Sequence, residues 1–182
     1  SRNNGLVIVN SDDVLNAGNN AGYISYSQDY LPGGLSYRSI STIFKDRNGQ
    51  VWIGTHGGGI NLVEKRTERF NQLMYEKGVE NSLSYNKVWG MTEDLSGRIW
   101  LGTDGDGVNI WVPGNGVTEN FRHEKNNTNS LSDNAVISAF TDSHGQIWLG
   151  TYKGGLNRYN PSTNNFNHYQ EPNDIRVNDV RC

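Results

Sequence analysis

Asp46-Arg-Asn-Gly-Gln-Val-Trp-Ile-Gly-Thr55 returns as Asp94-Leu-Ser-Gly-Arg-Ile-Trp-Leu-Gly-Thr103 and again as Asp142-Ser-His-Gly-Gln-Ile-Trp-Leu-Gly-Thr151, so that Trp52, Trp100 and Trp148 stand 48 residues apart. Each copy runs on through a Gly-rich turn into a second apolar-alternating stretch: Gly-Gly-Gly-Ile-Asn-Leu62, Gly-Asp-Gly-Val-Asn-Ile110 and Lys-Gly-Gly-Leu-Asn-Arg158. Asn81-Ser-Leu-Ser84 and Asn129-Ser-Leu-Ser132 join the copies. A period of roughly 40–50 residues built from several short strands is that of β-propeller blades; helical solenoids would instead show apolar residues at a roughly 3.6-residue spacing.

Turn chemistry places the strands within a unit. Val88-Trp-Gly-Met-Thr92 and Arg98-Ile-Trp-Leu-Gly102 flank Asp94-Leu-Ser-Gly97, a turn with Asp at its first position and Gly at its fourth. Asp104 to Gly107 turns the chain into Val108-Asn-Ile-Trp-Val112, and Pro113-Gly-Asn-Gly116 turns it into a fourth strand around Thr118 to His123. The expected fold is all-β, with four-stranded antiparallel meanders as blades: about three full blades and parts of a fourth.

Outward from the repeats, the expected division is a degenerate partial blade over 1–35, blades over 36–83, 84–131 and 132–174, and the first strand of a further blade over 175–182. In the first unit Gly5-Leu-Val-Ile-Val9 is assigned to the second strand, Val14-Leu15 to the start of the third and Tyr23-Ile-Ser-Tyr26 to the fourth. An open arc leaves its end blades uncovered, so something must close the ring. The strand near Val180 completing the first blade in a four-bladed ring, two chains forming an eight-bladed ring, and a piece of a longer propeller all satisfy that demand. The last is favoured.

The 182 residues include 22 Gly and 25 Asn but 4 Pro, which argues against a helical bundle. Apolar residues make up 34% against roughly 45–50% in an ordinary soluble domain, so the core must lean on the 10% of aromatics. A net charge of −3 is too small and too mixed to hold nucleic acid or a membrane surface. The longest apolar run, Leu6 to Val9, falls far short of the roughly 20 residues of a membrane span or the roughly 7–15 of a signal-peptide core. The lone Cys182 excludes an internal disulfide framework.

The unit from Val136 to Tyr159, with Asp142, Gly145, Ile-Trp-Leu-Gly-Thr151, Gly-Gly155 and Leu-Asn-Arg-Tyr159, resembles the two-component regulator propeller repeat, and the joining Asn-Ser-Leu-Ser strengthens the likeness over residues 36–182. The resemblance implies an extracytoplasmic, periplasmic sensor made of seven-bladed propellers. A Tyr-rich β-domain, a membrane helix and a histidine kinase would follow, often with a response regulator and a helix-turn-helix output. It implies oligosaccharides released from a polysaccharide as signals, regulation of polysaccharide-utilisation genes, and a homodimer as the signalling unit. The remaining blades and kinase domains would lie on the same chain. A free-standing lectin-like or scaffold propeller assembling from half-rings is the competing expectation.

Positions shared by the three copies read as scaffold: Trp52, Trp100 and Trp148 as packing between blades, and Asp46, Asp94 and Asp142 as acceptors for turn N–H groups. Positions that change within the fixed frame read as candidate ligand contacts. After Gly-Thr these are His56, Asp104 and Tyr152, with Asp106 and Lys153 beyond them; in the links between blades they are Tyr37, Arg38, Tyr85, Lys87, Asp133 and Asn134. Trp89 joins them, on an innermost strand where its counterparts are Ser41 and Ile137. A protruding Trp or Tyr can stack on a sugar face while Asp, Arg or Lys bonds its hydroxyls.

No cofactor and no metal is expected. Asp104-Gly-Asp106 lacks the further acids of a calcium loop, and His56, His123, His144 and His168 fall at different positions in the repeat without a second ligand at zinc spacing. No nucleophile motif is present, so catalysis is not expected; His56 with Asp104 is the pair a propeller lyase would use.

Overall fold

In the computed structural model, residues 5–9, 23–28, 33–64, 69–171 and 178–181 are described. They contain fourteen strands: β1 (Leu6–Val9), β2 (Tyr23–Tyr26), β3 (Ile40–Lys45), β4 (Val51–Thr55), β5 (Ile60–Glu64), β6 (Arg69–Leu73), β7 (Val88–Glu93), β8 (Ile99–Thr103), β9 (Val108–Val112), β10 (Gly116–Phe121), β11 (Val136–Thr141), β12 (Ile147–Thr151), β13 (Leu156–Asn160) and β14 (Asn165–Tyr169). Strands β3 to β6, β7 to β10 and β11 to β14 form three four-stranded sheets, each an antiparallel meander in chain order, and β1 pairs with β2 in a fourth sheet. The fold is an arc of propeller blades, as the repeat predicts.

The Asp–Trp repeat is a local clasp. In each full blade the aspartate's Oδ2 accepts the indole N–H six residues on, at 2.9 Å in the Asp46–Trp52 and Asp142–Trp148 pairs and 3.1 Å for Asp94–Trp100. Its Oδ1 accepts the main-chain N–H of Gln50, Arg98 or Gln146 across the turn. One carboxylate thereby satisfies a turn donor and a tryptophan donor, and fixes how the indole lies over the sheet.

The cores lie between blades. Trp52, Ile60, Leu83, Val88, Ile99 and Leu101 make one cluster, and their counterparts Trp100, Val108, Leu131, Val136, Ile147 and Leu149 make the next. Gly54, Gly102 and Gly150 mark recurring close approaches between blades. A Cβ on Gly102 would lie 2.8 Å from the carbonyl oxygen of Val136, and one on Gly150 would lie 2.5 Å from that of Val180. Each glycine is a notch that receives the innermost strand of the following blade.

The first sheet corrects the sequence assignment of Gly5 to Val9. Gly5 has φ +76°, and its N–H donates to the carbonyl of Arg38 at 3.0 Å. Gly59, Gly107 and Gly155, each the residue before or at the start of a third strand, have φ +67°, +75° and +74° and donate to Asn86, Asn134 and Asn178. Leu6 is buried against Leu35 and Ile53, in the place Ile60 and Val108 take in the other cores. So β1 is a third strand, not a second, and its direct antiparallel pairing with β2 makes Tyr23–Tyr26 the fourth. Alternation in Leu-Val-Ile-Val fits either strand; the backbone of Gly5 distinguishes them. Val14-Leu15 and Ile175 to Val177 lie outside the described residues.

Candidate functional site

Successive turns of a meander alternate between its ends, so the turns after β4, β8 and β12 share one end of the arc with the links between blades. The frame there is rigid for a reason visible in each copy. Thr55, Thr103 and Thr151 donate their hydroxyls to the carbonyls of Gly59, Gly107 and Gly155, and accept the N–H of Gly58, Asp106 and Gly154. Asn61, Asn109 and Asn157, all fully buried, accept the N–H of Ser36, Ser84 and Ser132 and donate to the same serines' hydroxyls. A second asparagine set, Asn86, Asn134 and Asn178, accepts the N–H of Tyr75, His123 and Glu171 where each fourth strand ends. Sequence reasoning marked Asn134 as a variable link position and passed over the other asparagines of both sets, although Asn61, Asn109 and Asn157 recur at the 48-residue spacing.

Against that frame the variable side chains converge. The His56 ring meets the Trp89 ring edge-on at 4.7 Å between centroids, and His56 pairs with Lys87 in an isolated antiparallel bridge. Lys87 Nζ lies 6.0 Å from the centre of the Trp89 ring and 2.5 Å from Asp104 Oδ2. The hydrogen bond to Asp104 raises the pKa of the Lys87 ammonium above its ordinary value, against the opposing effect of burial. Asp104, Trp89 and Tyr152 line a cavity of about 520 Å³ along the innermost strands β7 and β11, together with Met91, Ile137 and Arg181. Its size is that of a small-ligand site, and its walls combine two aromatic rings with a carboxylate and a guanidinium.

Arg181 is a contributor the sequence did not mark. It lies beyond the last full repeat, and its place follows from Val180, whose N–H donates to the carbonyl of Thr151 at 3.0 Å. Asp179 holds the guanidinium through Nε and Nη2, both at 2.9 Å, and raises it above its ordinary value. The carbon of that guanidinium is 5.6 Å from the centre of the Tyr152 ring, while Lys153 Nζ is 5.3 Å from the same ring. One further polar group at the mouth stands out: the indole N–H of Trp89 is buried and has no hydrogen-bond partner.

The other candidates are held elsewhere. Asp106 pairs with Arg122 at 2.8 Å, across the end of its own blade. Asp133 Oδ1 accepts the N–H of Ala135 at 2.8 Å and so caps its own turn. Arg38 is exposed, and its carbonyl is the acceptor for Gly5. Tyr37 and Tyr85 cover turn glycines: a Cβ on Gly57 would lie 3.5 Å from Tyr37 Cζ, and one on Gly105 would lie 3.7 Å from Tyr85 Cζ. In the third blade the same two positions carry Asp133 and Lys153, so ring-over-glycine gives way to a pair of opposite charges. Tyr85 also lines a shallower groove of about 480 Å³ with His56, Tyr75 and Lys87. Of the suspected lyase pair, the His56 ring packs edge-on to Trp89 and the Asp104 carboxylate engages Lys87.

Residues 34–57 and 130–153 match the two component regulator propeller family. No curated protein matches the chain by sequence. Among solved structures, the chain resembles a protein described as the extracellular domain of a hybrid two component system, BT3049 from B. thetaiotaomicron, with 21% identity and a TM-score of 0.73 over 88% of this chain and 22% of that one. A second ectodomain from B. thetaiotaomicron, that of BT4673, gives 23% identity and a TM-score of 0.72 over 91% of this chain and 22% of that one. Virginiamycin B lyase from Staphylococcus aureus follows at 14% identity and a TM-score of 0.60, over 87% of this chain and 48% of the lyase. The chain therefore spans about a fifth of the length of the two ectodomains it matches. On the 48-residue period, the blade arc and the two matched stretches, this chain is an arc of propeller blades that resembles two-component regulator propeller repeats over residues 34–57 and 130–153.

Proposed function

We propose that the chain forms part of the extracytoplasmic, periplasmic ligand-sensing propeller of a hybrid two-component sensor histidine kinase. The remaining blades and kinase domains lie on the same polypeptide, and the sensor works as a homodimer. Its ligands are oligosaccharides, and its output regulates polysaccharide-utilisation genes. The observation that carries this reading is the cavity between β7 and β11, whose walls are built from positions that differ among copies of an otherwise fixed repeat. Trp89 and Tyr152 offer ring faces for a pyranose, and Asp104 and Arg181 offer an acceptor and a donor for its hydroxyls. A ligand alters kinase output only as far as it binds one arrangement of the sensor better than another.

Calorimetric titration of the full-length protein carrying these repeats with a panel of oligosaccharides tests the proposal. Binding by at least one glycan, weakened by about tenfold or more in Trp89→Ala and in Tyr152→Ala, is the expected result. If no glycan binds, or both variants bind like the parent, the reading fails.

A further inference from the structure

We infer that His56 is a positioning residue for Trp89: from the preceding blade, and from outside the cavity, its ring fixes the pose that Trp89 presents between β7 and β11. The inference rests on the sugar-sensing reading above for what Trp89 meets there, and on contacts within the chain for the pose itself.

What holds Trp89 differs from what holds the tryptophans of the repeat. Trp52, Trp100 and Trp148 are each pinned at the indole N–H by the aspartate six residues earlier. The indole N–H of Trp89 has no partner among the described residues, so no such clasp sets its ring. Packing has to do so. The His56 ring meets it with the two planes at 75°, an edge-to-face geometry whose attraction depends on how the rings are turned. Lys87 Nζ, 6.0 Å from the ring centre, stands at the outer limit of a cation–π contact, and its charge is engaged by Asp104 at 2.5 Å. That leaves His56 as the directional contact.

His56 is itself tightly seated. Its N–H donates to the carbonyl of Ser39 at 3.0 Å, its backbone bridges to Lys87, and the residue before it, Thr55, closes the turn on the carbonyl of Gly59. A ring carried on so fixed a backbone can hold a neighbour in place. The pairing is particular to this blade boundary: at the next one Asp104 and Ile137 take the two positions, and neither carries a ring. His56 lines the shallower groove with Tyr75 and Tyr85, whereas Trp89 lines the cavity, so His56 acts on a ligand in the cavity through Trp89.

The test uses the full-length protein in a double-substitution cycle, with cellotetraose, xylotetraose, mannotetraose and tetragalacturonate as probes. For a probe that binds, His56→Ala should weaken affinity by about threefold or more, and His56→Phe, which keeps an aromatic edge, should stay within about twofold of the parent. In a Trp89→Ala background His56→Ala should have no further effect, because nothing remains for it to position. Near-UV circular dichroism reads the pose without any ligand. The Trp89 band, taken as the difference made by Trp89→Phe, should be lost in the His56→Ala background and return in the His56→Phe background. His56→Leu, which fills the space without a ring, should behave as His56→Ala does, and replaces it if the alanine variant melts early. A Trp89 band unchanged by His56→Ala overturns the inference. So does a loss of affinity that persists in the Trp89→Ala background, which would make His56 a ligand contact; both results leave the sugar-sensing reading standing. Should none of the four probes bind, that failure belongs to the sugar-sensing reading, and the dichroism still decides the positioning.

Discussion

The two ends of the arc obey different rules. At the end holding the Asp46, Asp94 and Asp142 turns, the three blades repeat the same clasp with nearly the same distances, and each carboxylate is used up within its own blade. At the opposite end the asparagine and threonine frame repeats as faithfully, but the side chains mounted on it do not: His56, Asp104 and Tyr152 share one position and have unrelated partners. A blade can therefore change what it presents without changing how it folds, because the hydrogen bonds that fix the turn belong to residues other than those displayed.

If that division is right, substitutions at the frame should cost far more stability than substitutions at the display. The largest effect is expected for Trp100→Ala. Trp100 is fully buried between two blades and packs on Tyr159 at 4.7 Å, so urea unfolding should show a loss of about 3–5 kcal/mol. Gly102→Ala should follow at about 1–3 kcal/mol, because its Cβ would press on Val136 of the next blade and part the sheets. Asn109→Ala leaves the N–H of Ser84 without its acceptor and should also cost about 1–3 kcal/mol, on the low side if water replaces the amide. At the display end, Lys87→Met removes a half-exposed ion pair, and a loss above about 1 kcal/mol would break the comparison.

Acid provides a finer probe of the clasp. Burial opposes the charged form of Asp94, but the N–H groups of Trp100 and Arg98 outweigh it and hold the carboxyl below its usual range. A group depressed in the folded state stabilises the fold above its unfolded value, and loses that contribution as pH falls through the folded one. Stability should accordingly decline on acidification below the usual carboxylate range, and Asp94→Asn should flatten that limb in a pH series of unfolding curves. An unchanged limb would mean that the clasp contributes nothing through its charge.

The architecture was legible because the 48-residue period carries strand, turn and packing signals together, each pointing to the same meander. Val108 to Val112 falls on β9 for that reason. The first sheet was misassigned because Leu6 to Val9 has the alternation common to any half-buried strand, and the feature that identifies it is the left-handed backbone of Gly5. Within the site, Trp89 and Tyr152 could be found as exceptions to a pattern. Arg181 could not, since it lies outside any complete repeat and reaches the cavity only because Val180 is seated against Thr151. That Tyr37 and Tyr85 also lie against the turn glycines Gly57 and Gly105 could not be read from sequence, because the contact depends on how the link folds over the turn.

The glycine notches give the arc a mechanical direction. Gly54, Gly102 and Gly150 each hold a strand that comes later in the chain, and Ser41 and Ser138 latch the seated strands by donating to the carbonyls of Val88 and Val180. A blade is thus pinned by its successor and pins its predecessor. Under tension between the chain's ends, a blade whose successor has been drawn out loses the strand lodged in its notch, so release should pass from one blade to its neighbour, and a single-molecule extension trace would record events spaced by one 48-residue repeat.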